Sequence, residues 1–256
     1  MLGAIAGDVI GSVFEHRNTK SKDFELFDDT SCFTDDTVLT IASADAILND
    51  RDYTEVLKEY HARYPRAGYG GSFRGWANSQ NSKPYNSWGN GSAMRTSPVG
   101  FANDTLEEAL AQAEAFAAVT HNHPEGIKGA QAVSAAILLA RKGISKDHIK
   151  RFIETKFEYN LDTTLDEIRP TYRFDVSCQG SVPQAIRAFL ESTDFEDTIR
   201  NAISIGGDSD TIACIAGGIA EAFYKGVPGD IKQETLDRLD DRMKKTITLF
   251  YQRFIT

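Results

Sequence analysis

Apolar residues recur along this chain at helical spacing, and no stretch holds the strict alternation of a half-buried strand. Val38, Ile41, Ala42 and Leu48 mark a helix over 38–48, and Tyr53, Val56, Leu57 and Tyr60 mark another over 53–63. The short link Asn49-Asp50-Arg51-Asp52 predicts that this pair runs antiparallel. Further helices are expected over 106–119, 125–141, 144–157, 195–204 and 213–224, with one from Ser181 that carries Pro183 in its first turn. A last amphipathic run over 231–254 reads as one outer helix. The segment 160–173 fits neither period, and 174–179 reads as extended. The pattern amounts to about ten helices without a convincing strand, an all-α chain that we read as one domain over 1–256.

Glycine adds a constraint at the start of the chain. Gly3, Gly7 and Gly11 fall four apart, so on a helix they form a smooth face against which another helix can lie closely. The same spacing reaches Glu15, either a solvated carboxylate or one placed at the end of that face. From Pro65 to Trp88 the pattern breaks into Gly, Asn, Ser and Pro, predicting loops apart from a short helix at 72–78. Loops of this length inside a compact domain more often serve function than not.

The polar residues that interrupt the pattern carry the chemistry. Ser204-Ile205-Gly206-Gly207-Asp208-Ser209-Asp210-Thr211 places carboxylates and hydroxyls at the start of an alanine-rich helix, where the two glycines would let a ligand approach the backbone. An ordinary helix cap accounts for one Asp or Ser but leaves the second carboxylate and the Gly-Gly pair unexplained. Phe33-Thr34-Asp35-Asp36-Thr37 repeats the arrangement before the helix at 38–48. Together Thr34, Asp35, Asp36, Asp208, Asp210 and Thr211 form an oxygen-only donor set, which favours Mg2+ or Mn2+ over zinc or copper. Four gathered carboxylates repel one another unless cations lie among them, and the charge suits two divalent ions better than one.

Composition narrows the reading. The 256 residues are 41% hydrophobic and carry a net charge of −9, which argues against nonspecific nucleic-acid binding, a role that needs surplus basic residues. Cys32, Cys178 and Cys214 lack C-x-x-C spacing, so neither a disulfide framework nor a thiolate metal site is expected, and a reducing cytoplasm is the simplest home. Residues 1–14 are apolar, but no basic stretch precedes them and Asp8 interrupts them, so neither export nor a membrane anchor is expected.

Five motifs in order, L-G-A-I-A-G-D-V-I-G-S-V-F-E (2–15), F-T-D-D-T (33–37), G-N-G-S-A-M-R (89–95), T-H-N-H-P-E-G (120–126) and G-G-D-S-D-T (206–211), resemble the ADP-ribosylglycohydrolase family from Gly3 to about Pro228. The resemblance implies an all-α, single compact orthogonal helical bundle with a binuclear magnesium centre at helix N-termini. It also implies hydrolysis of the glycosidic bond between ADP-ribose and an acceptor on a protein or a small conjugate. Glu15 would then lie beside the substrate ribose and position or deprotonate water, with Asp36 and Asp210 as alternatives. Gly89, Asn90, Gly91, Ser92 and Met94 correspond to the phosphate-facing segment, and His121 to a residue lining the pocket. Ser209 stands where many members have Thr, which keeps the hydroxyl. Several points stay open. Arg95 either meets phosphate or anchors a carboxylate in the core. Phe73, Trp76, Tyr85 and Trp88 either stack on adenine or fill the interior. His121 and His123 fall outside an oxygen-ligated metal shell and suit a helix junction. A structural or binding-only relative, or a phosphohydrolase cutting the diphosphate, are the rival functions, and the acceptor is undetermined.

Overall fold

The computed structural model describes residues 1–255, and among them it contains helices and no β-strand. In chain order these are α1 (Leu2–His16), α2 (Asp35–Asn49), α3 (Tyr53–Arg63), α4 (Gly71–Asn78), α5 (Ser97–Ala102), α6 (Leu106–Ala118) and α7 (Pro124–Arg141). The second half holds α8 (Lys146–Phe157), α9 (Leu165–Ile168), α10 (Cys178–Glu191), α11 (Phe195–Ser204), α12 (Ser209–Tyr224), α13 (Gly229–Asp237) and α14 (Asp241–Phe254). Two 3-10 turns, Asn90–Ser92 and Met94–Thr96, precede α5. The all-α expectation is borne out. No helix among the described residues is long and apolar enough to cross a membrane.

The centre of the fold is α12, whose residues from Ser209 to Ala222 are all buried. A helix apolar on every side must be enclosed, and α1, α5, α7, α10 and α11 enclose this one. The glycine face of α1 makes the closest of these contacts. A Cβ on Gly3 would fall 2.7 Å from Glu221 Cβ, one on Gly7 2.7 Å from the Cys214 nitrogen, and one on Gly11 2.5 Å from Asp210 Cα. The near-backbone contact brings Asp8 and Glu15 of α1 alongside the first turn of α12.

Several elements differ from the sequence reading, each for a local reason. The outer run at 231–254 is two helices, because Asp240 accepts a hydrogen bond from the Met243 nitrogen (2.8 Å) and starts a new one. The helix expected from Ser181 starts earlier, at Cys178, capped by Ser177 accepting from the Gly180 nitrogen (2.9 Å). Pro183 therefore sits inside α10, where its missing N–H leaves one turn without its ladder bond. Extended backbone before α10 ends in an isolated bridge between Gly89 and Ser177. The unplaced segment 160–173 contains α9, a single turn held by the reciprocal cap of Thr164 and Glu167.

Candidate metal centre and ligand pocket

Two helix starts face each other across α1. Gly206 and Gly207 both adopt positive φ (72° and 78°), turning the chain sharply from α11 into α12. They do not open the backbone to a ligand as the sequence suggested. Asn18 Oδ1 accepts from the Gly207 nitrogen, and the Tyr172 ring lies where a Gly207 side chain would begin. The turn instead aims Asp208 and Asp210 at the first turn of α2, where Thr34 caps the helix by accepting from the Asp36 nitrogen (3.3 Å).

Asp8 joins these elements and was not singled out as a site residue from the sequence. Wholly buried, it accepts at Oδ2 from the nitrogens of Thr34 (2.9 Å) and Thr37 (3.1 Å), and at Oδ1 from the Thr34 hydroxyl (2.6 Å). An anion at the N-terminus of α2 is held by the orphan N–H groups there. A carboxylate inside an apolar, glycine-notched helix was the available signal, since such a group is almost never buried unpartnered. Asp8→Ala is expected to strand those N–H groups and to lower stability by at least about 2 kcal/mol in chemical denaturation, because each buried unpaired group costs roughly 1–3 kcal/mol.

The carboxylates form two adjoining groups. One oxygen from each of Asp8, Asp36 and Asp210 lies within 4.8 Å of the others, and the same holds for Glu15, Asp208 and Asp210, so Asp210 belongs to both. Asp36 Oδ2 accepts from the Thr211 hydroxyl (3.1 Å), while its Oδ1 is buried without a partner. Asp210 Oδ1 accepts from the Thr211 nitrogen (2.9 Å), and Asp208 Oδ2 from Asn90 Nδ2 (2.7 Å). Asp35 lines the same cavity but stands outside both groups.

Burial, followed by the charge of Asp8, pushes Asp35 up to about 8. Burial and neighbouring carboxylates hold Asp36 and Asp210 well above the usual carboxylate range. Asp8, Asp208 and Glu15 are also raised, chiefly by burial. Among the described residues no lysine or arginine pairs with Asp8, Asp35, Asp36, Asp208 or Asp210. Buried carboxylates without counter-ions are unfavourable, and a hard, oxygen-only donor set with an unpartnered oxygen at Asp36 fits divalent cations.

Glu15, Asp35, Asp36, Asp208 and Asp210 form the floor of a cavity of about 400 Å³, with Asp8 wholly buried outside its lining. Its wall includes Gly89, Asn90, Gly91, Met94, Arg95 and His121. Ser92 is not part of the wall: it is buried, and its hydroxyl donates to the Gly126 carbonyl (2.7 Å). Arg95 is fully buried with no carboxylate beside it, so it is not an anchor for a core acid. His123 caps α7, accepting at Nδ1 from the Glu125 nitrogen (3.1 Å). The aromatics of the long loop divide. Trp76 packs in the interior against Phe73, which stacks on Tyr69; Phe73 and Tyr85 reach the cavity, and Trp88 is exposed. Phe174 and Val176, not anticipated from sequence, complete its rim as exposed apolar side chains.

A profile of the ADP-ribosylglycohydrolase family matches residues 1–254. The chain belongs to that family. Similar proteins include ADP-ribosylhydrolase ARH3 of Mus musculus, 26% identical over 88% of this chain and 82% of that one. ADP-ribosylarginine hydrolase Tri1 of Pseudomonas putida is 24% identical over 90% of this chain and 70% of its own length. Among solved structures, one described as an ADP-ribosylglycohydrolase-related protein complex superposes with a TM-score of 0.74 at 22% identity, covering 98% of this chain and 96% of that one. The helical fold is thus that of an ADP-ribosylglycohydrolase, a family of enzymes that hydrolyse ADP-ribose linkages. The five motifs lie around this cavity: α1 supplies Glu15 to it and Asp8 to the carboxylate group with Asp36 and Asp210, 33–37 and 206–211 the facing helix starts, and 89–95 with 120–126 the opposite wall.

Proposed function

We propose that this member of the ADP-ribosylglycohydrolase family cleaves the glycosidic bond between ADP-ribose and an acceptor, with its chain acting as one domain and two magnesium or manganese ions as cofactor. The observation that carries this reading is the pair of oxygen groups sharing Asp210 on the floor of a cavity walled by Gly89–Gly91 and His121. Thr34, Asp35, Asp36, Asp208, Asp210 and Thr211 would hold the ions, and Asp8 would fix Thr34. When bound, the ions supply Lewis acidity and balance the carboxylate charge.

The rest of the chemistry falls to side chains. Water adds to the anomeric carbon of the distal ribose while the bond to the acceptor breaks, its electron pair leaving with the acceptor and the water proton passing to a carboxylate. Glu15 suits that role. Its side chain is 28% exposed, its only ion-pairing partner among the described residues is the His16 ring at 3.8 Å, and burial raises its pKa. Asp36 and Asp210 are the alternatives, although each already accepts a hydrogen bond from Thr211. The surrounding carboxylates stabilise the positive charge that develops on the ribose.

The test is product analysis on arginine-, serine- and O-acetyl-linked ADP-ribose. Intact ADP-ribose is expected from at least one substrate, and EDTA or Asp208→Ala should abolish its release. AMP in its place would mean that the diphosphate is cut and would reassign the site to phosphohydrolysis. Binding of ADP-ribose without turnover of any substrate would favour a binding-only member.

A further inference from the structure

A second cavity, of about 540 Å³, lies between the first turns of α7, the segment 158–168 and α10, and shares no lining residue with the cavity that holds the carboxylates. Its volume is in the range of small-molecule sites. Three of its lining residues carry an oxygen that lacks a donor. Glu125 Oε2 and the Tyr159 hydroxyl are buried without a partner among the described residues, and Tyr159 as a whole is only 5% exposed. The third is the backbone carbonyl of Gln179. Pro183, four residues on in α10, has no N–H to give it, and both residues line the cavity. Burial raises the Tyr159 pKa, helped by the Cys178 thiol and then the Glu125 carboxylate, so the hydroxyl stays neutral beside that acid. Buried polar atoms are nearly always hydrogen-bonded, and three acceptors beside one cavity call for a donor within it.

Cations line the same space. Lys128 Nζ stands 3.3 Å from Glu125 Oε1 and 4.6 Å from the centre of the Tyr159 ring. An ammonium has three N–H groups, so this pairing leaves others to give. Arg187 meets Glu191 Oε1 through Nε and Nη2 (2.7 Å each) and the Leu161 carbonyl through Nη1 (2.9 Å), which leaves two of its five N–H groups. With Glu158, the charged side chains around the cavity sum to zero.

We propose that this cavity binds a free, neutral, polar α-amino acid, its ammonium received by Glu125, Tyr159 and the Gln179 carbonyl and its carboxylate by Lys128 and Arg187. The match is one of number and spacing. A primary ammonium brings three donors to three acceptors, and an α-amino acid carries its opposite charges one carbon apart, as Glu125 and Lys128 hold theirs in contact one helical turn apart. A balanced lining offers no net attraction to a diphosphate, and the amide of Gln184 suits a polar side chain. Nothing in this argument depends on the ADP-ribose reading.

The experiment is ligand-observed saturation-transfer NMR on the full chain without any nucleotide, using L-serine and L-glutamine as probes. Ethanolamine, which lacks the carboxylate, and N-acetyl-L-serine, which lacks the ammonium, are the controls. At least one amino acid should bind and both controls should fail. Glu125→Gln keeps the shape of the side chain and should weaken binding by about tenfold, the effect of losing one bond to a charged acceptor. Gln184→Trp fills the cavity from a partly exposed position and should abolish binding while every charged group remains. Failure of both amino acids to bind overturns the proposal, as does equal binding of the controls. Affinity unchanged in a folded Gln184→Trp protein would place the ligand elsewhere and overturn it too. Release of ADP-ribose is measured separately, so either reading can fail while the other stands.

Discussion

Asp36→Asn should reduce hydrolysis by roughly a thousandfold, equivalent to about 4 kcal/mol of transition-state stabilisation, and yet raise the melting temperature of the metal-free protein at pH 8. The substitution keeps the shape of the side chain, and an amide oxygen can still accept from the Thr211 hydroxyl. It removes one of several buried carboxylates that face one another without a basic partner, and so removes a cation ligand. The sign of the stability change follows from the raised pKa values. Asp35 moves from its ordinary 3.8 to about 8, and Asp36 and Asp210 move in the same direction. Between those values the folded state binds more protons than the unfolded state, so metal-free stability falls as pH rises through that window. The variant has one fewer such group and should lose less. Scans in EDTA from pH 5 to pH 9 should show its advantage growing to several degrees, since about 1 kcal/mol corresponds to roughly 2–4 °C for a chain of this size. Saturating magnesium should reverse the order of stability at pH 8. An advantage independent of pH would mean that the carboxylates do not bear the strain.

Gly7→Val is expected to prevent stable folding. Its Cβ would meet the Ala213 carbonyl and the Cys214 nitrogen, backbone atoms that cannot rotate aside, so α1 and α12 would have to separate. Overpacking commonly costs about 1–3 kcal/mol and more where backbone must move, against a total stability of roughly 5–15 kcal/mol. The damage would extend to function, since Glu15 reaches the floor of the cavity, and Asp8 its place beside Asp36 and Asp210, only because α1 lies so close. Gly75→Ala provides the contrast. It lies within α4 with nothing within 4 Å of the added carbon, and should stabilise by about 0.5–1 kcal/mol through helix propensity alone. Thermal melts of both variants beside the unaltered protein separate a glycine required by contact from one that is merely tolerated.

The sequence by itself determined what depends on local order. Helical class follows from periodicity, because each helix must bury one face whatever it packs against, and Thr34 and Asp208 to Thr211 were legible as oxygen-rich helix starts for the same reason. The glycine face of α1 was legible as a contact, without its partner. Tertiary structure alone decided which groups meet. Asp8 looks like an interruption in an apolar run until α2 is placed over it, and its value lies in three hydrogen bonds to residues distant in sequence. Ser92, one of a matched motif, turns away because the carbonyl of Gly126 stands behind it. Gly206 and Gly207 serve the turn, since Asn18 and Tyr172 already cover them. Arg95 was balanced between phosphate and a core acid until its hydrogen bonds were seen to go to the Phe116 carbonyl and the Thr120 hydroxyl. Spacing along a chain reports which face of a helix is buried, whereas the partner of a buried polar group is chosen by packing between helices, and that choice leaves no periodic trace.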